Sequence, residues 1–223
     1  MMSQIRTIEI KKSVFEDNTI KADELRRELK NQKTFLLNLM SSPGSGKTST
    51  VMGTIDRIRD RFKMGVIEAD IDSVVDAEKV ASKGVPVIQL QTGGLCHVDA
   101  TMTKEGLGGL KTKELDVVIL ENVGNLVCPA EFDTGASKNV MILSVPEGDD
   151  KPLKYPLMFS IVDALIINKI DCASYFDFDT KAVKERVTKL NPDIAVFEIS
   201  AKTGEGLDSW IDWLCEQVVI WNR

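Results

Sequence analysis

The chain has 223 residues, of which 43% are hydrophobic and 28% charged, an ordinary globular balance at a length suited to one large α/β domain with a substantial core. A formal net charge of −6 disfavours nucleic acid or an anionic membrane as a partner held through the overall field. No apolar run approaches the roughly 18 residues that span a bilayer, and the N-terminal stretch MMSQIRTIEIKKSVFEDN lacks the apolar centre of a signal peptide, so a cytoplasmic location is expected, with neither nucleic acid nor membrane as partner.

Residues 1–32 read as an N-terminal extension with a short helix, and 33–223 as the main domain. In DELRRELKN, residues 23–31, Leu25 and Leu29 stand one turn apart among charges and predict a surface helix. The run from Thr34 to Met40 is apolar and short, as a buried strand requires. Further strands are predicted at 64–69, 85–90, 115–121, 138–144, 163–168 and 195–199, and helices at 47–62, 73–83, 98–110, 180–190 and 206–220. Such alternation predicts an α/β fold, a mostly parallel central sheet with helices on both faces. The last helix carries Leu207, Trp210, Ile211, Leu214 and Val218 along one stripe, which predicts docking on the sheet. The stretch 145–156 holds three of the seven prolines and reads as a solvated surface loop.

Between the first strand and its helix, residues 41–48 read SSPGSGKT. This is the phosphate-binding P-loop pattern Gly-x4-Gly-Lys-[Ser/Thr] with Ser41 in place of the first glycine. Gly44 and Gly46 let successive backbone N–H groups curl inward, and the helix start adds its positive end. Lys47 is placed to reach the β and γ phosphates, and Thr48 to ligate Mg²⁺. Gly44, Ser45, Gly46, Lys47, Thr48 and Ser49 are therefore the expected phosphate-binding set.

Base choice comes from farther along. Asn168-Lys169-Ile170-Asp171 follows an apolar strand, at the carboxyl edge where α/β sheets bind ligands. An ionised Asp171 accepts only, and guanine offers two parallel donors where adenine offers an acceptor and nothing beside it. Ser200-Ala201-Lys202, also at a strand end, resembles the second guanine-binding element of the GTPase superfamily. In this order behind a P-loop, the two segments resemble that superfamily closely and imply GTP as ligand. The γ-phosphate sensor is expected after the strand 115–121, where Glu121-Asn-Val-Gly124 stands in place of the usual Asp-x-x-Gly. Lys47, Glu121 and Gly124 form the expected catalytic set. Asn125 takes the place of a water-orienting glutamine, and slow intrinsic hydrolysis follows. Thr48, Glu121 and Asp70 are the expected magnesium shell. Asp72 and Asp76 compete with Asp70, and an acid at a helix N-terminus explains these residues equally well.

The four cysteines of an intracellular chain do not suggest a disulfide framework. The single histidine, His97, adjoins Cys96, and Cys128 lies four residues after Gly124. Two thiolates and an imidazole suit Ni²⁺ or Zn²⁺ better than Mg²⁺. Three ligands leave a tetrahedral site open or complete it from a second subunit, with binding fading below about pH 6.5 as His97 takes up a proton. The spacing fits core thiols and a surface histidine as readily. Cys172 and Cys215 are assigned to packing.

The strings SSPGSGKTS, GGLCHVDA, ENVGNLVCPAEFD, EGDDKPLKYP and NKID together resemble the nickel-incorporation GTPases of NiFe-hydrogenase maturation, over roughly residues 33–210. The resemblance implies a P-loop GTPase fold and a homodimer formed on GTP binding. It further implies a metal site at Cys96, His97 and Cys128, and an accessory nickel-maturation protein and a hydrogenase precursor as partners. Ser41 is usual in that family. The N-terminal Cys-x-x-Cys-type nickel motif and the His-rich tract of some members are missing, which implies a transfer site and not a store. The rival readings are a urease-maturation GTPase, whose Cys-Pro-His arrangement this chain lacks, a P-loop kinase or ATPase, and a regulatory GTPase without metal.

Overall fold

The computed structural model describes residues 10–71 and 74–223. Seven strands, β1 (Phe35–Ser41), β2 (Met64–Asp70), β3 (Val87–Gln91), β4 (Val117–Glu121), β5 (Lys138–Ser144), β6 (Ala164–Asn168) and β7 (Ala195–Glu198), form one sheet in the order β3-β2-β4-β1-β5-β6-β7. Every neighbouring pair is parallel. The helices are α1 (Ile10–Gln32), α2 (Lys47–Ile58), α3 (Val75–Ala81), α4 (Ala100–Leu110), the short α5 (Cys128–Glu131), α6 (Lys151–Lys154) and α7 (Pro156–Ile161), α8 (Thr180–Leu190) and α9 (Leu207–Asn222). The predicted α/β architecture is present, and the predicted strands fall within two residues of their observed limits.

All seven residues of β1 are buried. A strand covered on both faces has no solvent side to supply polar alternation, hence a run that is apolar except for Asn38 and Ser41. Its side chains still alternate. Phe35, Leu37 and Leu39 pack with α2 and α9 on one face, through Val51, Ile55, Trp210, Leu214 and Val218. Leu36 and Met40 point to the other face, Leu36 toward α1 and α4 and Met40 toward α7 and α8. The stripe predicted for α9 is buried as expected, and Trp210 Nε1 donates to Thr54 Oγ1 at 3.0 Å, so its one polar atom enters the core with a partner.

Two expectations are corrected. The N-terminal helix is neither short nor superficial: it runs 23 residues and buries Leu25 and Leu29 to 3% and 1% exposure. Its charged surroundings hide this, because the charges stand on the outer face or are paired inward. Arg26 Nη2 donates to both carboxylate oxygens of Asp133 at 2.8 Å, and its Nε donates to the Ala136 carbonyl at 3.0 Å. Asn18 Oδ1 accepts from the Ala100 N–H at the start of α4. The stretch 145–156 is likewise no solvated loop. Ser144 and Glu147 form a reciprocal capping box, Pro152 and Pro156 sit in the first turns of α6 and α7, and Val145 and Pro152 are buried. Proline at a helix start gives up an N–H that has no helical partner there, so these prolines begin helices instead of breaking them.

Leu29→Ala should therefore lower the stability of the whole domain by about 2–4 kcal/mol, the range for emptying a closed leucine site. Chemical denaturation should show one transition at a lower midpoint, whereas an unchanged midpoint would mean that α1 melts independently of the sheet.

Candidate functional site

β1 and β4 lie side by side, so the loops that leave their carboxyl ends meet, at the edge where open parallel sheets hold ligands. A cavity of about 450 Å³ opens there, lined by Gly44, Gly46, Lys47, Thr48 and Ser49 from one loop and Glu121 to Gly124 from the other. Gly44 and Gly46 both have positive φ, +75° and +99°. Gly46 is confined twice, since a Cβ there would also collide with Asn168 Nδ2. Ser41 explains its own departure from the glycine pattern. Its buried hydroxyl accepts from Ser45 Oγ at 2.5 Å and from Lys47 Nζ at 3.0 Å, and so holds the lysine at the mouth of the cradle. Burial lowers the Lys47 pKa, against the opposing pull of Glu121 and Glu68.

Thr48 Oγ1 donates to Glu121 Oε1 at 3.0 Å. Facing Glu121 in register on β2 is Glu68, a residue the sequence reading passed over. Both carboxyls are nearly inaccessible, 3% and 5% exposed, and each has one oxygen without a hydrogen-bond partner. Burial first, then the adjacent Glu121 carboxyl, pushes the Glu68 pKa up to about 10. Burial also raises that of Glu121, with Lys47 acting against it. Both shifts favour the protonated form of the pair in the absence of a cation. Two orphaned carboxylate oxygens beside a P-loop threonine are hard donors of the kind a small divalent cation takes, so the residues present fit Mg²⁺. Asp70 and Asp76 line the same cavity, and Asp76 pairs with Lys79 at 2.8 Å. Asp72 lies outside the described residues.

The second half of the site is braced to the first. Asn168 Nδ2 donates to the Ser45 carbonyl at 2.9 Å, while its Oδ1 accepts from the Ala201 N–H at 3.0 Å. Lys169, in the left-handed conformation, donates from Nζ to the Gly44 carbonyl at 2.6 Å. Ser200 Oγ donates to Asp171 Oδ1 at 2.7 Å and accepts from the Thr203 N–H at 3.1 Å. Asn168, Lys169, Asp171, Ser200 and Ala201 are thus one connected group, with Asp171 and Lys202 exposed at its rim.

Cys96, His97 and Cys128 also come together, with one ligand atom from each within 4.8 Å of the others. Cys96 Sγ donates to Cys128 Sγ at 2.7 Å. The His97 ring stacks on Phe132 at 3.8 Å between centroids, and its Nδ1 is buried without a partner. An unsatisfied imidazole nitrogen and two thiols at this spacing form a donor set that could take a borderline-soft metal ion. Burial lowers the His97 pKa, opposed by Asp99 and Glu131. The Cys96 hydrogen bond, then burial, raises that of Cys128. Elsewhere, Cys215 is buried in the core, as its assignment to packing requires, whereas Cys172 is only half-buried and donates from Sγ to the Lys169 carbonyl at 3.0 Å.

Comparison with known proteins now bears on this geometry. Residues 35–198 match the model of the CobW/HypB/UreG nucleotide-binding domain. The chain belongs to this family. It is 42% identical over 213 residues to the hydrogenase maturation factor HypB of Escherichia coli K12, covering 96% of this chain and 73% of that protein. It is 40% identical to the hydrogenase/urease maturation factor HypB of Helicobacter pylori strain 26695, covering 95% and 88%. The crystal structure of HypB from Helicobacter pylori in complex with nickel superposes with a TM-score of 0.86 at 41% identity, covering 91% of this chain and 95% of that one. The likeness therefore runs to the HypB members, as the sequence strings implied.

Glu68→Gln supplies a test of the carboxyl pair. A carboxyl whose pKa is raised on folding holds its proton against the solvent, so its contribution is full below the unfolded value near 4.5 and is lost as pH rises toward 10. A glutamine carries no such penalty. The variant should therefore be more stable than the wild type at pH 7, by about 1–3 kcal/mol, with the gain vanishing near pH 4.5. Thermal melts across pH check this, and a variant less stable at pH 7 would show that the pair is ionised.

Proposed function

We propose that this chain binds and hydrolyses GTP and delivers nickel during NiFe-hydrogenase maturation, through a homodimer gated by the nucleotide. The observation that carries this reading is a juxtaposition. The loop that leaves β4 begins with Glu121 against Thr48 of the phosphate cradle and reaches Cys128, beside Cys96 and His97, within seven residues. A γ-phosphate that draws in Gly124 shifts Cys128 as well. Gly124 already packs on the P-loop so closely that a Cβ would lie 3.1 Å from the Pro43 nitrogen. The names of the relatives, hydrogenase maturation factors and one solved with nickel, support the same role.

In this reading Lys47 and the cradle N–H groups bind the β and γ phosphates, and Asp171, Asn168, Lys169, Ser200, Ala201 and Lys202 select guanine. Thr48, Glu121 and Asp70 hold Mg²⁺, which when bound neutralises charge on the phosphates. Hydrolysis is slow, because the Asn125 side chain is engaged with the Cys96 carbonyl and the Val127 N–H and is not offered to water. The cargo, Ni²⁺ or Zn²⁺, takes Cys96, His97 and Cys128. Leu95 and Val127, both about half exposed (46% and 51%), flank these ligands with apolar surface suited to a second copy, which would close the coordination. The accessory nickel-maturation protein and the hydrogenase precursor are the further partners, and the cytoplasm the place. Delivery to urease is the second reading, favoured by the hydrogenase/urease name of the Helicobacter pylori relative.

Alanine at Cys96, His97 or Cys128 should each weaken Ni²⁺ or Zn²⁺ binding by at least roughly tenfold, and alanine at Cys172 or Cys215 should not. The lowered His97 pKa moves the acid limit below the 6.5 of a free imidazole, while the raised Cys128 pKa makes thiol protons the main competitors at neutral pH. Affinity should then climb with pH through neutrality, by about tenfold per unit for each proton displaced; a flat profile from pH 7 to 8 would remove the thiols from the ligand set.

For the gate, metal is titrated into the GDP and GTP-analogue forms while light scattering follows mass. The analogue form should be dimeric and differ in metal affinity, and the metal should alter nucleotide affinity by the same factor. Identical isotherms with unchanged mass would sink the reading.

A further inference from the structure

The loop after β4 explains how Cys128 follows the sensor, since it lies only four residues beyond Gly124 in the chain. Cys96 and His97 pose a different problem. They leave the carboxyl end of β3, which is separated from β4 by β2, and no short covalent path ties them to Gly124. Two asparagines of the sensor loop supply that tie, one on each side of Gly124.

Before the glycine stands Asn122, completely buried. Its backbone N–H donates to the Leu39 carbonyl of β1 at 2.9 Å, and its Nδ2 donates to Asn38 Oδ1 at 3.1 Å. Asn38 in turn donates to Asn139 Oδ1 at 2.9 Å. This row of amides crosses three adjacent strands and belongs to the rigid sheet. The remaining atom, Asn122 Oδ1, accepts from the Val98 N–H at 3.3 Å and the Val123 N–H at 2.9 Å. The residue after His97 is therefore pinned to the sheet, and the imidazole stacks on Phe132, whose ring in turn packs on Phe15 of α1 at 4.9 Å between centroids.

After the glycine stands Asn125, half-buried. Its Nδ2 donates to the Cys96 carbonyl at 3.3 Å, and its Oδ1 accepts from the Val127 N–H at 3.0 Å, shaping the turn that delivers Cys128. One side chain thus grips the backbone of one thiol ligand and sets the approach of the other. The three ligands fall into two mechanical groups: His97 fixed to the sheet through Asn122, and both sulfurs carried by Asn125.

We propose that Asn125 is a positioning residue that transmits movement of the γ-phosphate sensor to Cys96 as well as Cys128, against a His97 segment anchored by Asn122. This rests on the reading of the loop as a nucleotide-gated metal carrier and specifies how the gate reaches the metal. When Gly124 moves toward the P-loop, the two sulfurs travel together and the imidazole stays, so the triangle of donor atoms changes shape. Without the Asn125 link, Cys96 is released from the sensor and can settle around the metal alike in both nucleotide states.

The test compares wild type, Asn125→Ala and Asn125→Asp, with Ni²⁺ titrated against a competing chromophoric chelator in the GDP form and in the form bound to a non-hydrolysable GTP analogue. The aspartate keeps the acceptor for Val127 N–H but has no donor for the Cys96 carbonyl, so it separates the link from the turn. The readout is the ratio of the two metal affinities. A merely structural role changes both affinities together and leaves the ratio untouched. Wild type should give a ratio of roughly 5–150 in one direction, and both variants a ratio within about twofold of one while still binding metal. A wild-type-like ratio in either variant overturns the role of the Asn125–Cys96 link. Equal affinities in the wild type itself overturn the gate and this inference together.

Discussion

Parallel pairing of β1 with β4 is the constraint on which the rest of the site depends. In a parallel sheet every strand delivers its carboxyl end to the same edge, and adjacent strands deliver their loops as neighbours. Here that single pairing sets the phosphate cradle beside the Glu121–Gly124 loop and puts Thr48 within hydrogen-bonding distance of Glu121. Pairing of β2 on the far side of β4 brings Glu68 level with Glu121. With β3 beyond it, the Cys96–His97 loop lies near enough to meet Cys128. No long loop is needed to assemble chemistry from four separate parts of the chain.

The polar residues inside the sheet follow a common logic. Asn38, Asn122 and Asn139 form a row in which amide donates to amide, so burial leaves these groups paired, and a paired buried amide costs little where an orphaned one costs about 1–3 kcal/mol. The carboxyls of Glu68 and Glu121 are treated otherwise, each with an orphaned oxygen. Groups of the first kind fix the frame, and groups of the second kind are held short of their partners at the cavity wall. The same contrast separates Cys215, sunk in the core, from His97 with its unsatisfied Nδ1.

Much of this was legible in the sequence because two signals are local. Buried parallel strands write themselves as mostly apolar runs such as Phe35–Ser41, and the phosphate cradle needs specific residues at fixed spacing. The adjacency of Cys96 and His97, with Cys128 just beyond Gly124, singled out the three residues that the structure brings together. What escaped was set by tertiary context. Glu68 is one acid inside the strand Met64–Asp70, and only its register with Glu121 shows that it faces another carboxyl; an acid flanked by buried apolar residues was the available hint. α1 looked superficial because Arg26 reads as a surface charge until Asp133, more than a hundred residues away, is placed against it. The prolines of 145–156 carry the same letter whether they end a helix or begin one. The role of Asn125 needed the position of Cys96, which no spacing rule supplies.

The bracing around Asn168 has a further consequence. That one amide joins the cradle, through the Ser45 carbonyl, to the Ser200–Lys202 loop, through the Ala201 N–H, and Lys169 adds a second strut to Gly44. Half of the cleft is therefore a stiff jaw that is assembled in advance, and under the proposed function a nucleotide would seat its base and first phosphates there with little ordering cost. On that reading, diphosphate and triphosphate forms would share the base and first phosphates seated in that half. Telling them apart would then fall to Lys47 and to the opposite jaw, the loop that begins at Glu121, so that much of holding a nucleotide is separated from reading its state.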